Sequence, residues 1–187
     1  MKNQQFRLFS EDMAEFLTNF CLASSVDEDM IGGEGHSKSV NFYGAECDIV
    51  LTQVKEKVED LVGKRLKETY GFMRVYKEGD ELPLHTDRDS CEYSLTICLG
   101  TNALCDWPIF VGGKCFSLSP GEAVLYKGID QPHFRFPLQK INCADGWSVE
   151  QPDNIFHAQM FLHYIDVNGP HYPEHSWDGR GGPSWLK

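Results

Sequence analysis

The sequence predicts a mainly β domain with helices at its N-terminal end, built as a double-sheet jelly roll. Two stretches of helical periodicity come first, short runs of alternating apolar residues begin at Tyr70, and turn signals separate those runs. Helices followed by roughly eight short strands suit two facing sheets with the helices packed on one of them. At 187 residues and 41% hydrophobic, the chain is long enough for one sizeable core. A single domain over 1–187 is therefore expected. Residues 1–69 are its N-terminal helical support, 70–166 the jelly-roll core and 167–187 a C-terminal extension.

Ser10 is the candidate N-cap of the first helix, with Glu11 and Asp12 in its first turn. Met13, Phe16, Leu17 and Phe20 then recur at helical spacing as one apolar stripe. Residues 24–46, rich in Ser, Gly and Asp and containing His36, read as a loop. The second helix has the strongest periodicity: Leu51, Val54, Val58, Leu61 and Val62 on one side, Lys55, Glu56, Lys57 and Glu59 on the other. Strands follow at 72–79, at the run around His85, and at 91–100. Gly112-Gly113 predicts a hairpin between WPIFVGG and KCFSLSPG, and Pro120-Gly121 a turn into GEAVLYKG. After an irregular stretch at 139–154, FHAQMFLHYID at 156–166 is the last long strand, and the tail beyond it is rich in Gly, Pro and aromatic residues.

Composition narrows the partners. A formal charge of −11 and a pI near 5.0 argue against nucleic acid and against an anionic membrane surface. No apolar run approaches the roughly 20 residues that span a bilayer. The opening MKNQQFRLFSEDM lacks the apolar core of a signal peptide. Seven cysteines without a CxxC pair predict free thiols in a reducing interior, hence a cytoplasmic location, with Cys98 as a small buried side chain. The sequence carries no signal for an oligomeric state.

The stretch that organises the chain is PLHTDRDSCEYSLTICLG, residues 83–100. His85 and Asp87 stand two apart in a run read as extended, so their side chains leave the same face. An imidazole and a carboxylate side by side suit two ligands of one metal ion. His133, after Pro132 at the exit of an apolar strand, is the proposed third, since a jelly roll can return that strand to the His85 run. Two histidines and one carboxylate, with the remaining positions open, form the ligand set of non-haem Fe(II) oxygenases. Fewer protein ligands would lose the metal, and a fourth would block the co-substrate.

The order HTD (85–87), the SLTICLG strand, PGEAVLYKG, QPH (131–133) and the final FLHYID strand resembles the 2-oxoglutarate- and Fe(II)-dependent dioxygenases, in particular their prolyl-4-hydroxylase-like branch. The resemblance covers residues 70–166. It implies a double-stranded β-helix, the cupin-like form of the jelly roll, with His85, Asp87 and His133 as iron ligands. It also implies Fe(II), 2-oxoglutarate as co-substrate and O2 as oxidant, with ascorbate a further candidate cofactor. An unactivated C–H of a small-molecule or peptidyl substrate, such as a peptidyl proline or another amino-acid side chain, would be hydroxylated with release of succinate and CO2.

The chain departs from that family at the co-substrate's far carboxylate. Relatives place an Arg or Lys at the start of the last strand; here it begins Phe156-His157-Ala158-Gln159. His157 occupies the basic slot, with Gln159 on the same face. Arg135, two residues beyond His133, and Lys127 are further candidates. Tyr76 matches a tyrosine that relatives carry before the HxD motif, and Arg74 shares its face. His163, His171 and His175 read as structural, or as rim residues. Two other functions remain open: a cupin-like metal enzyme that does not use 2-oxoglutarate, and a non-catalytic jelly-roll binding module that presents Tyr172, Trp177 and Trp185.

Overall fold

Alternation along the strands sorts apolar from polar residues onto opposite faces of one large sheet, and that sorting places the site. The structure is a computed structural model and describes residues 1–24, 41–139 and 152–179. Its elements are β1 (Gln4–Arg7), α1 (Glu11–Ser24), β2 (Asn41–Phe42), α2 (Ala45–Val62), β3 (Leu66–Lys77), β4 (Leu82–His85), β5 (Tyr93–Thr101), β6 (Ile109–Val111), β7 (Lys114–Phe116), β8 (Glu122–Tyr126), β9 (His133–Arg135) and β10 (Phe156–Asp166). Among the described residues these strands form two antiparallel sheets, β1-β8-β5-β10-β3-β2 and β4-β9-β6-β7.

On β10, Ala158, Met160, Leu162 and Tyr164 face α1 and α2 and join Val75, Leu95, Ile97, Leu125, Leu17 and Leu51 in the main core. The intervening Phe161 belongs to a separate cluster with Tyr76 and Trp107, while Val124 and Tyr126 join Ile109 and Val111 of the smaller sheet. A period of two thus gives one strand two different neighbourhoods. The helices cover the outer face, and the space between the sheets holds the polar and aromatic residues.

Both helices form where the sequence places them. The Met13 N–H donates to Ser10 Oγ at 3.2 Å, the expected cap. The buried face of α1, however, is Ala14, Leu17, Thr18 and Cys21, while Met13 and Phe16 are 47% and 64% exposed. The small residues set this rotation: Gly100 of β5 lies so close that a Cβ there would stand 2.5 Å from Thr18 Oγ1. Close backbone approach outweighs side-chain size. Helix α2 buries Cys47, Leu51 and Val58, packs Val54, Leu61 and Val62 against the core, and stops at Gly63 in the left-handed region (φ 72).

The strand expectations agree for β10 at 156–166 and for the β6–β7 hairpin, whose Gly112 (φ 56) and Gly113 (φ 78) take the two positive-φ turn positions. Three differences stand out. β3 begins at Leu66, before the expected core boundary, and residues 1–69 also contribute β1 and β2. β4 ends at His85, so Asp87 lies just past the strand. Cys105 is disulfide-bonded, against the expectation of free thiols, while Cys21, Cys47, Cys91, Cys98 and Cys115 are free. Most of the 24–46 loop, including His36, and Trp185 of the tail lie outside the described residues.

Candidate metal centre and co-substrate pocket

β4 and β9 pair antiparallel with His85 opposite His133, which brings the two imidazoles to 4.3 Å between ring centres. Asp87 follows with one residue between it and the strand end, fixed by its N–H donating to Gly128 O at 2.9 Å. Gly128 is required there: a Cβ would fall 2.1 Å from Asp87 Oδ2. Asp87 Oδ1 lies 3.5 Å from His85 Nε2 and 3.4 Å from His133 Nε2, and one ligand atom from each of the three lies within 4.8 Å of the others.

The tautomers suit a metal. His85 Nδ1 faces Pro83 O at 2.7 Å and His133 Nδ1 faces Gln131 O at 3.0 Å. A carbonyl only accepts, so each Nδ1 carries a proton, and Nε2 is the nitrogen that each ring turns toward Asp87: protonated it donates there, unprotonated it offers its lone pair to a metal. The other carboxylate oxygen, Oδ2, accepts from Ser94 Oγ at 2.9 Å. Burial pushes the Asp87 carboxyl up, but hydrogen bonds from His133 and His85 outweigh it and hold the group well below the usual carboxylate range. The Asp87 hydrogen bond in turn raises the His85 pKa, against the effect of burial.

Ser94 Oγ also lies 3.0 Å from His163 Nδ1, so a short chain runs from His163 through Ser94 to Asp87. His163 is buried, and burial pushes its pKa down to about 4. The sequence reading placed it as structural or at a rim; it lines the cavity. Ser94 and Gly128 were missed. A serine on the polar face of β5 is a faint sequence signal, and the Gly128 contact depends on a distant loop.

The triad opens on a cavity of about 310 Å³, walled by Tyr70, Phe72, Arg74, Tyr76, Tyr126 and Phe161. Phe72 stacks on Phe161 at 4.6 Å and on Tyr43 at 5.4 Å, so the aromatic wall continues to the surface.

Of the residues proposed for the co-substrate's carboxylate, Arg135, His157 and Gln159 are buried. The β9 backbone is extended, as the two-residue spacing from His133 requires. Arg135 Nη1 donates to Trp107 O, and the guanidinium lies 4.6 Å from the Trp107 ring centre. Its Nε and Nη2, both nitrogens of His157 and both amide atoms of Gln159 have no hydrogen-bond partner among the described residues. Burial lowers Arg135 to about 10, and burial together with Arg135 holds His157 well below the ordinary imidazole value. Unpaired buried polar atoms cost roughly 1–3 kcal/mol each, and the donors among these, Arg135 Nε and Nη2 foremost, are free for an outside acceptor. A carboxylate fits that donor set.

Tyr76 is buried beside Trp107, at 4.9 Å between ring centres, and its hydroxyl accepts from Arg74 Nη1 at 3.4 Å. Lys127 is not brought to this group. Its ammonium pairs with Asp130 at 3.0 Å and lies 3.9 Å from Glu92, because β8 has ended at Tyr126 and the following turn points the side chain at its own i+3 neighbour. Trp177 does not present a tail surface either: it is buried under Lys67, while Tyr172 is exposed.

No family model and no curated relative matches the chain. Solved structures do. The non-haem α-ketoglutarate-dependent epimerase SnoN from nogalamycin biosynthesis aligns at TM-score 0.61 and 14% identity, over 88% of this chain and 78% of that one. A 2OG-Fe(II) oxygenase family oxidoreductase from Burkholderia pseudomallei aligns at 0.59 and 11%, over 89% and 86%. The viral collagen prolyl hydroxylase of Paramecium Bursaria Chlorella virus-1, in its 2OG complex, aligns at 0.58 and 12%, over 87% and 96%. The chain has the 2-oxoglutarate oxygenase fold. On this oxygenase fold, the double-stranded β-helix, His85 and His133 stand on the small sheet and face the polar side of the large one.

Proposed function

We propose that the chain is an Fe(II)- and 2-oxoglutarate-dependent dioxygenase that hydroxylates an unactivated C–H bond. The observation that carries this reading is the convergence of His85, Asp87 and His133, with both Nε2 atoms turned to one carboxylate oxygen. With iron, 2-oxoglutarate and O2 bound, the keto acid is converted to succinate and CO2 while one oxygen atom enters the substrate. Backbone carbonyls at Pro83 and Gln131 hold the imidazoles in the ligating tautomer, and Ser94 orients the carboxylate.

Arg135 supplies the charge for the far carboxylate of 2-oxoglutarate, with His157, Gln159 and Tyr76 as polar neighbours. Arg135 has moved the charge from the last strand to the strand of the distal histidine. Phe72, Phe161 and Tyr70 form an apolar wall that excludes water and holds a substrate against the open side of the triad. A peptidyl proline or another amino-acid side chain suits a wall of this kind.

The test is succinate formation from 2-oxoglutarate by purified protein, aerobic and with ascorbate. Turnover should require added Fe(II) and vanish in His85→Ala. Turnover that ignores iron, or none at any iron concentration together with no calorimetric binding of 2-oxoglutarate, would overturn the reading.

A further inference from the structure

A second set of metal-binding side chains lies where the C-terminal segment meets the loop after Asp87. Beyond β10 the chain winds through turns, and the His175 N–H donates to His171 O at 3.1 Å, the spacing of one helical turn. That turn places the two imidazoles 6.2 Å apart on one side. Asp89, the first residue of the 3₁₀ turn Asp89–Cys91, reaches toward them with Oδ2 3.8 Å from His171 Nδ1. One ligand atom from each of Asp89, His171 and His175 lies within 4.8 Å of the other two.

A separation of 3.8 Å is too long for a hydrogen bond. Ligands of one tetrahedral cation with bonds of about 2.0–2.2 Å stand roughly 3.3–3.6 Å apart. The His–Asp87 pairs of the candidate iron site show 3.4–3.5 Å. The Asp89 side chain is 66% exposed, so a rotamer adjustment closes the remaining gap without moving the core.

We propose that Asp89, His171 and His175 form a second metal site that takes a borderline divalent cation, Zn²⁺ foremost. Two imidazoles and one carboxylate match that class, whereas Ca²⁺ and Mg²⁺ favour all-oxygen sets. Three protein ligands leave the fourth position to water. The cation clamps the segment after β10 onto the loop that leaves Asp87. The same two segments are already joined by Arg88 Nη2 and Asp178 Oδ2 at 2.9 Å. Arg88 also lies 4.8 Å from the ring centre of Tyr70, a wall of the cavity, so the clamp borders the site without sharing a ligand with it. The proposal does not rest on the oxygenase reading.

The experiment silences the first triad and titrates the second. Metal-free His85→Ala/His133→Ala protein, titrated calorimetrically with ZnCl₂, should bind one equivalent and melt at a higher temperature when loaded. Adding His171→Gln and His175→Gln should weaken that binding by more than about tenfold, since removing a direct ligand costs at least as much as removing a group behind one. In the otherwise unaltered chain, His175→Gln alone should lower the zinc stoichiometry by one. No zinc uptake by the first variant, or uptake that survives replacement of His171 and His175, overturns the proposal.

Discussion

Two polar groups share the space between the sheets, and they are built on opposite terms. In the triad nearly every polar atom has a protein partner: each Nδ1 a carbonyl, Asp87 Oδ2 a serine, Asp87 Oδ1 the two imidazoles. In the Arg135, His157 and Gln159 group most polar atoms have none among the described residues, although all three side chains are buried. The first arrangement stands preformed and would receive a cation in fixed geometry. The second leaves a buried charge whose desolvation the Trp107 carbonyl and ring offset only in part, as expected of a site that a ligand would complete. A cation site can be finished by protein atoms alone, but an anion site of this kind cannot.

The comparison breaks most sharply at His133. His133→Ala should lower affinity for Fe(II), or for Mn(II) as its stand-in, by more than about a hundredfold and remove iron-dependent succinate formation. Calorimetry of the metal-free protein reads the first effect, and a fold preserved by circular dichroism shows that the loss is local.

Arg135→Leu should do the reverse, sparing the metal and removing the keto acid. Losing one partner of a buried charge pair costs about 2–5 kcal/mol, more than thirtyfold in Kd for 2-oxoglutarate measured with Mn(II) under anaerobic conditions. Stability without ligand should hold within about 1 kcal/mol, because the substitution also removes a desolvated charge. Equal loss of stability and affinity would make Arg135 a structural residue.

Acid should act through His163. Its folded-state pKa is depressed to about 4 from an ordinary 6.5. Between those values the unfolded chain binds the proton and the folded chain does not, so stability is present above pH 6.5 and falls as pH drops toward 4. The loss reaches at most about 3 kcal/mol. Urea unfolding of metal-free protein at pH 7.5 and pH 5 measures it together with the contribution of His157, whose pKa is depressed by burial too, and His163→Phe should reduce the difference without abolishing it.

Ser94→Ala should be mildest. Removing the hydrogen bond to Asp87 Oδ2 should weaken metal binding about tenfold with the ligand set intact. A change below twofold would mean that Gly128 and the backbone orient the carboxylate without it.

How much of this was legible in the sequence follows from the range of each interaction. His85 and Asp87 were readable because their spacing is local, and Arg135 because it sits two residues from His133 on extended chain. The end of β4 before Asp87 was not readable, since the carboxylate is placed by Gly128 in the turn after β8 and by Ser94 on β5. Lys127 was a further candidate behind Arg135, and the turn after Tyr126 gives it Asp130 instead. The α1 stripe was misread because apolar bulk suggested Met13 and Phe16, while the contact with Gly100 selects Ala14 and Thr18. β1 is four residues of mixed polarity, too short to announce itself, and its pairing to β8 is decided by register.

The two-sided character of β10 has a consequence for how this protein can change. Phe161 and His163 touch the cavity but not the helix-packed core, whose β10 members are Ala158, Met160, Leu162 and Tyr164. Mutational drift, or a designer, can therefore reshape what the pocket accepts without disturbing the helix-packed core. A one-residue insertion in this strand would instead exchange the two faces at a stroke, losing fold and chemistry together.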